Sequence, residues 1–113
     1  MTVSAVIGAR MTTAMLVVES RSGPALCPFF SKCDRVLLID RTGKSRELHH
    51  RDGSDAESLC DLILALNPSA LVCGFIGETE KQRLREAGID IRLGSCSNSI
   101  DELFAEFHSL PRA

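Results

Sequence analysis

Five cysteines, at positions 27, 33, 60, 73 and 96, are the residues in this sequence best suited to chemistry. Thiolates are soft ligands that hold iron–sulfur clusters and soft metals. Cys27 and Cys33 are spaced C-x5-C, which matches neither a zinc-finger nor a ferredoxin pattern. The same two residues are also spaced to act as a reversible thiol pair, with Lys32 and Arg35 nearby to favour the thiolate. The plain alternative is that each cysteine packs as a small hydrophobe, most readily Cys60 on a helix face and Cys73 in a strand. His49 and His50 stand side by side, and imidazole is a good ligand for iron or copper. They equally suit a solvated strand end beside Arg51 and Asp52. Gly74 and Gly77 form a G-x-x-G step before a helix, where free N–H groups favour an anion such as a metal–sulfide cluster. Tight strand-to-helix packing explains the same two glycines. Nothing in the sequence assigns a role to His108.

The elements that must position these residues follow from periodicity. Met15-Leu16-Val17-Val18-Glu19 is a short apolar run bounded by turn residues, which predicts a buried strand, followed by a long loop from Ser20 to Lys32. Arg35 to Asp40 predicts a second strand, and Asp40-Arg41-Thr42-Gly43-Lys44 a hairpin turn leading to a polar edge strand over Ser45 to His49. Three capping-box patterns begin at Ser54, Thr79 and Ser99. The first helix ends at Asn67-Pro68 and the second at Gly88, a natural left-handed position on which Ile89 can fold back toward Leu84. The third carries the stripe Ile100, Leu103, Phe104 and Phe107. Ala70 to Cys73 and Asp90 to Leu93 predict two further short strands. Strands alternating with helices imply an α/β fold with right-handed crossovers and a mainly parallel sheet. Ligands of such sheets gather beyond the carboxyl ends of the strands. Here those ends lead into the Ser20–Lys32 loop, the Cys73–Gly77 turn and the Gly94–Asn98 turn, so Cys27, Cys33, Cys73 and Cys96 are expected on one rim.

Composition narrows the function. The chain has 113 residues, enough for one domain over 14–113, with residues 1–13 expected to be a flexible tail and Met11 or Met15 an alternative start. Lys and Arg total 13 against 15 Asp and Glu, for a net charge of −2, which argues against a nucleic-acid partner. Trp and Tyr are absent, so a base-stacking surface is poorly supplied. No basic segment precedes an apolar run, and no apolar run is long enough to span a membrane, so a reducing cytoplasm with free thiols and no membrane partner is expected. No G-x-S-x-G elbow, H-E-x-x-H pair or spaced carboxylate set is present, which leaves an enzyme reading, including a nuclease, without support.

Three segments carry a family resemblance. Phe30-Ser31-Lys32-Cys33-Asp34-Arg35-Val36-Leu37-Leu38-Ile39-Asp40 is similar to F-G-R-A-x-x-F-x-I-x-D. Leu71-Val72-Cys73-Gly74-Phe75-Ile76-Gly77 is similar to V-I-x-G-x-I-G, and Leu84 to Gly94 to L-x-x-A-G-I-x-V-x-x-G, followed by the S-I-D-E-L helix. In this order they resemble the dinitrogenase iron–molybdenum cofactor biosynthesis family, the NifX/NafY-like domains also found at the end of NifB, over roughly residues 14 to 108. The resemblance implies a ribonuclease H-like fold with a five-stranded mixed sheet, an antiparallel hairpin at one edge and three flanking helices. It implies a non-catalytic role in binding or carrying an iron–sulfur or iron–molybdenum cluster, or its precursor, in metal-cofactor assembly. Nitrogen fixation is the family's eponymous setting, and a general metal-cluster role is the broader expectation. A cluster donor or acceptor protein is the implied partner, the chain itself being a monomer or weak homodimer. The family's S-E-H-F-G loop reads Cys27-Pro28-Phe29-Phe30-Ser31 here, with Phe29 at the His position and Ser31 at the Gly position. The histidines of the family's G-H-G stretch are displaced to His49 and His50. The expected cluster contacts are then Cys27, Phe30, Ser31, Gly74, Gly77 and Ser95, with Cys27, Cys33, Cys96, His49 and His50 as metal donors. A thiol redox protein using Cys27 and Cys33, and an interaction module that has lost its cluster, are the alternatives.

Overall fold

The computed structural model describes residues 11–21, 23–33, 35–50 and 56–113. The element order is β1 (Thr12–Ser20), β2 (Gly23–Leu26), β3 (Arg35–Asp40), β4 (Arg46–His50), α1 (Ala56–Leu66), β5 (Ala70–Cys73), α2 (Glu78–Glu86), β6 (Asp90–Leu93) and α3 (Ile100–Ala105), with 3-10 turns at Phe30–Lys32 and Phe107–Ser109. The strands form one mixed sheet in the order β4-β3-β1-β5-β6, with β2 added beside β1. β1 runs antiparallel to β3 and parallel to β5, and β5 parallel to β6. The expected mainly parallel sheet is thus corrected to a mixed one: among the described strands β1–β2, β1–β3 and β3–β4 are antiparallel, because no α-helix intervenes between these strands and only the helical crossovers return the chain in parallel.

The alternation of side chains splits the core in two. Ala14, Leu16, Val36, Leu71, Cys73 and Ile91 face one side of the sheet, where Leu59, Cys60 and Ile63 of α1 and Leu84 of α2 cover them. Met15, Val17, Leu37, Ile39 and Val72 face the other, covered by Ile100 and Leu103 of α3. β1 therefore reads as an unbroken apolar run, because both faces of the central strand are dry. Each fully buried Leu or Ile contributes roughly 1.5–3 kcal/mol of transfer free energy.

The described sheet has six strands rather than five. The extra strand, Gly23–Leu26, lies inside the segment expected to be loop. Val17 pairs with Arg35 on one side and Leu26 on the other, so β2 continues the β5 side of β1. Pro24 disguised this strand, and it is tolerated because β2 pairs with β1 alone. Gly23, at φ +104, makes the tight entry, and the Ser20 hydroxyl donates to its carbonyl at 2.6 Å. β1 begins at Thr12, inside the stretch expected to be tail.

Local signals decide the helix ends. Ser99 caps α3 in a complete box: Glu102 N donates to Ser99 Oγ at 3.1 Å and Ser99 N to Glu102 Oε1 at 2.8 Å. Gly88 has φ +86, and Ile89 N donates to the Leu84 carbonyl at 3.2 Å, as that ending requires. The box at Thr79 does not form. α2 begins at Glu78, two residues earlier than a Thr79 cap would start it, and Gly77 is its cap without a side-chain bond. Glu78 and Glu80 in the first turn supply the favourable charge instead. The box at Ser54 and residues 1–10 lie outside the described residues. Among the described residues no helix is long and apolar enough to cross a membrane.

Candidate functional site

The loops beyond the carboxyl ends of β1, β5 and β6 meet, and backbone hydrogen bonds hold them together. Cys27 N donates to Leu16 O at 2.8 Å, which carries the β2 ladder on along β1 toward the end of β5. The chain then crosses the end of β5. Phe75 N donates to Pro28 O at 2.7 Å, Phe30 N to Phe75 O at 2.8 Å, and Phe29 and Phe75 form a parallel bridge. Gly94 N donates to Cys73 O at 2.9 Å, joining the third loop. Residues Phe30–Lys32 make one 3-10 turn, closed by Cys33 N on Phe30 O at 3.2 Å.

That turn brings Cys27 and Cys33 together as a disulfide, with Cα atoms 5.9 Å apart, within the ordinary range. The expectation of free thiols is corrected for these two. Both sulfurs lie against the carbonyl oxygen of Phe29, at 3.2 Å and 3.0 Å, which becomes a hydrogen-bond acceptor for them only when the bridge is reduced to thiols. They also point inward: Cys27 is 2% exposed and Cys33 fully buried, in the core that includes Cys60 and Cys73. The rim forms as the topology demanded, yet the sulfur it gathers faces hydrocarbon.

The other expected site residues divide. Phe30, inside the disulfide loop, is buried in the same core, and Ser31 belongs to the same turn. Gly74 lies against Pro28, and Gly77 caps α2. Ser95 and Cys96 are exposed on the Gly94–Asn98 turn, where the Ser95 and Ser97 hydroxyls are 2.7 Å apart. Cys73 is fully buried on β5, and burial pushes its thiol up to about 12. Cys60, on the inner face of α1, is pushed up to about 11 by burial. Both behave as the small hydrophobes that were the plain alternative. His49 and His50 end β4 toward this same end of the sheet, opposite Val36 and Arg35. His49 Nε2 lies 3.1 Å from Glu47 Oε1 on its own strand, and Arg35 pairs with Glu19 at 3.2 Å. Among the described residues no group of three or more His, Cys, Asp or Glu is placed to hold a metal ion.

Two residues without an assigned role stand out at the rim. Phe29 is 51% exposed and Phe75 68%, adjacent across the bridge that ties their loops. Sequence offered no signal that separates them from Phe30, which lies in the same turn as Phe29 and is buried. Chemically, the site offers a disulfide that yields two thiols on uptake of two electrons and two protons, one shared carbonyl acceptor, and an apolar crown.

No protein-family profile and no curated protein matches the chain. Solved structures do. A candidate dinitrogenase from Methanococcus jannaschii superposes with a TM-score of 0.71 at 21% identity, covering 92% of this chain and 93% of that one. The apo form of the orange protein from Desulfovibrio gigas gives 0.70 at 16%, covering 91% and 92%. A candidate NifB protein from Thermotoga gives 0.68 at 12%, covering 88% of each. At these identities the likeness establishes the fold, and the solved proteins that share it include bearers of the same names, NifB and dinitrogenase, to which the residue motifs pointed.

Proposed function

We propose that this chain is a non-catalytic, cytoplasmic protein that binds or carries an iron–sulfur or iron–molybdenum cluster, or its precursor, on a ribonuclease H-like scaffold. A protein that donates or accepts the cluster is its partner. The observation that carries this reading is the convergence of three loops at the carboxyl rim around the Cys27–Cys33 pair. The names of the fold's bearers support it, one being a candidate NifB protein, another a candidate dinitrogenase, and a third solved as an apo form. In the oxidised chain the two sulfurs are bonded to each other and are not free to ligate. Reduction frees two thiols, soft donors suited to iron, within one turn of chain. Cys96, on the neighbouring turn, is the exposed thiol nearest in topology to complete the set.

The test is reconstitution. Protein reduced with dithiothreitol without air is incubated with iron and sulfide, desalted, and assayed for iron, acid-labile sulfide and visible absorbance. With no Trp or Tyr in the chain, its own absorbance leaves the near-ultraviolet open to a cluster signal. Retained iron and sulfide, reduced in Cys27→Ser and Cys33→Ser, is the expected outcome. A colourless, iron-free product rejects the proposal.

The disulfide itself favours a second reading, a thiol redox or regulatory protein using Cys27 and Cys33. A reversible mass change of two hydrogens under mild oxidation, in a chain that retains no iron, selects that reading.

A further inference from the structure

The two ends of the strand order β4-β3-β1-β5-β6 are treated differently. The outer edge of β6 is covered by the chain's own last residues: Leu93 N donates to Pro111 O at 2.8 Å, Ala113 N to Ile91 O at 3.0 Å, and Arg112 bridges Arg92. At the opposite edge, β4 pairs only with β3 among the described residues.

The hydrogen-bonding sense of β4 follows from its hairpin. Asp40 N donates to Ser45 O at 3.0 Å, so Ser45 faces β3. By alternation Glu47 and His49 also turn their N–H and C=O toward β3, while Arg46, Leu48 and His50 turn theirs outward. An edge of this kind is a template for another strand. Its side chains are self-complementary in one register. If a second β4 runs antiparallel about a twofold axis through Leu48, Leu48 meets Leu48 of the second copy and Glu47 meets its His49, twice over. The Glu47 and His49 side chains are already 3.1 Å apart within one strand, so both lie on one face of the sheet, ready to cross-pair. On the other face Leu48 is 43% exposed, one of the few large apolar side chains left in solvent among the described residues. Arg46, which would stand opposite His50 of the second copy, is already neutralised by Asp101 of α3 at 2.6 Å.

We infer that β4 is a self-association edge: a second copy of this chain adds through an antiparallel β4–β4 ladder centred on Leu48 and continues the sheet across a twofold axis. Strands of five residues bury little surface, so the dimer is weak and depends on concentration. The inference does not depend on cluster binding.

Sedimentation equilibrium of the whole chain tests it, with a mass rising from 12.3 kDa toward twice that value as concentration increases. Leu48→Pro removes an outward N–H that β3 does not use, so it is expected to abolish the dimer while leaving the circular dichroism unchanged. Leu48→Cys in a Cys96→Ser background places two thiols across the axis at a pair separation of about 5.5 Å, within disulfide reach, and is expected to cross-link under mild oxidant. A monomer at every concentration up to about 1 mM overturns the inference. So does a dimer that neither cross-links through Leu48→Cys nor responds to Leu48→Pro.

Discussion

Gly74 and Pro28 pack backbone against backbone: a Cβ on Gly74 would lie 2.7 Å from the carbonyl carbon of Pro28 and 2.8 Å from its Cα. This contact is what lets the disulfide loop lie across the end of β5. Because the obstacle is backbone rather than a movable side chain, Gly74→Ala must push the two loops apart. A loss of roughly 1–3 kcal/mol is expected, as for overpacking elsewhere. Urea unfolding measures it, and hydrogen exchange should show the amides of Phe30 and Phe75 opening first. Unchanged protection of those two amides would contradict the contact.

Thiol reactivity should follow burial. Of the three free cysteines, Cys60 and Cys73 are buried with their thiols pushed up to about 11 and about 12, and Cys96 is exposed. The thiolate is the reactive form. In the native oxidised protein a disulfide-exchange reagent is therefore expected to titrate Cys96 rapidly and the other two only on unfolding. Cys96→Ser should remove the fast phase.

Reduction should cost stability. The Cys27–Cys33 bridge spans a separation of six residues, a short loop, for which chain entropy gives about 2 kcal/mol. The urea midpoint is expected to fall by a corresponding amount in dithiothreitol, and Cys27→Ala with Cys33→Ala should reproduce the fall and no longer respond to reductant. A midpoint insensitive to dithiothreitol would mean the bridge is not formed in solution.

Arg92 docks the C-terminal segment. It is 6% exposed, donates to Asp90 at 2.9 Å and 3.1 Å, to the carbonyls of His108 at 3.3 Å and Leu110 at 3.0 Å, and lies 4.8 Å over the Phe107 ring. Its hydrogen bonds hold the Asp90 carboxyl below its ordinary pKa. The stability this pair contributes is therefore complete above the ordinary carboxylate range and is lost as pH falls through the depressed value. Asp90→Asn should flatten the acid side of the stability–pH profile. Arg92→Lys, which cannot reproduce the planar fork, should lower the melting temperature more than Arg83→Ala at the exposed pair with Asp61.

Ser99→Ala removes the side-chain half of a complete capping box on a helix of six residues. A loss of about 1 kcal/mol is expected, measured by thermal unfolding. Ser99→Asp should restore most of it, since the cap needs an acceptor oxygen rather than a hydroxyl.

Local chemistry was legible from the residues because its causes are local. Gly88 ends α2, Gly43 turns the β3–β4 hairpin at φ +79, and Ser99 caps α3, each through bonds within a few residues. The apolar run of β1 and the alternation of strands with helices likewise announced a sheet covered on both faces, and so placed Cys27, Cys33, Cys73 and Cys96 in or beside the loops of one rim. A capping pattern alone was not enough: Thr79 offered an oxygen cap, but the helix starts at Glu78 with Gly77 as its cap, and Lys81 N donates to Gly77 O at 3.0 Å. Pro24 hid β2 because a proline's missing N–H rules out only a central strand, and the edge position is a fact of the assembled sheet. The inward direction of the Cys27 and Cys33 sulfurs, their union, and the outward direction of Phe29 and Phe75 all depend on how segments far apart in the chain close over β5. The sequence by itself thus determined the elements other than β2 and which end of the sheet bears the sulfur. Only the tertiary structure decided which way that sulfur faces, because burial is set by neighbours contributed by other parts of the chain.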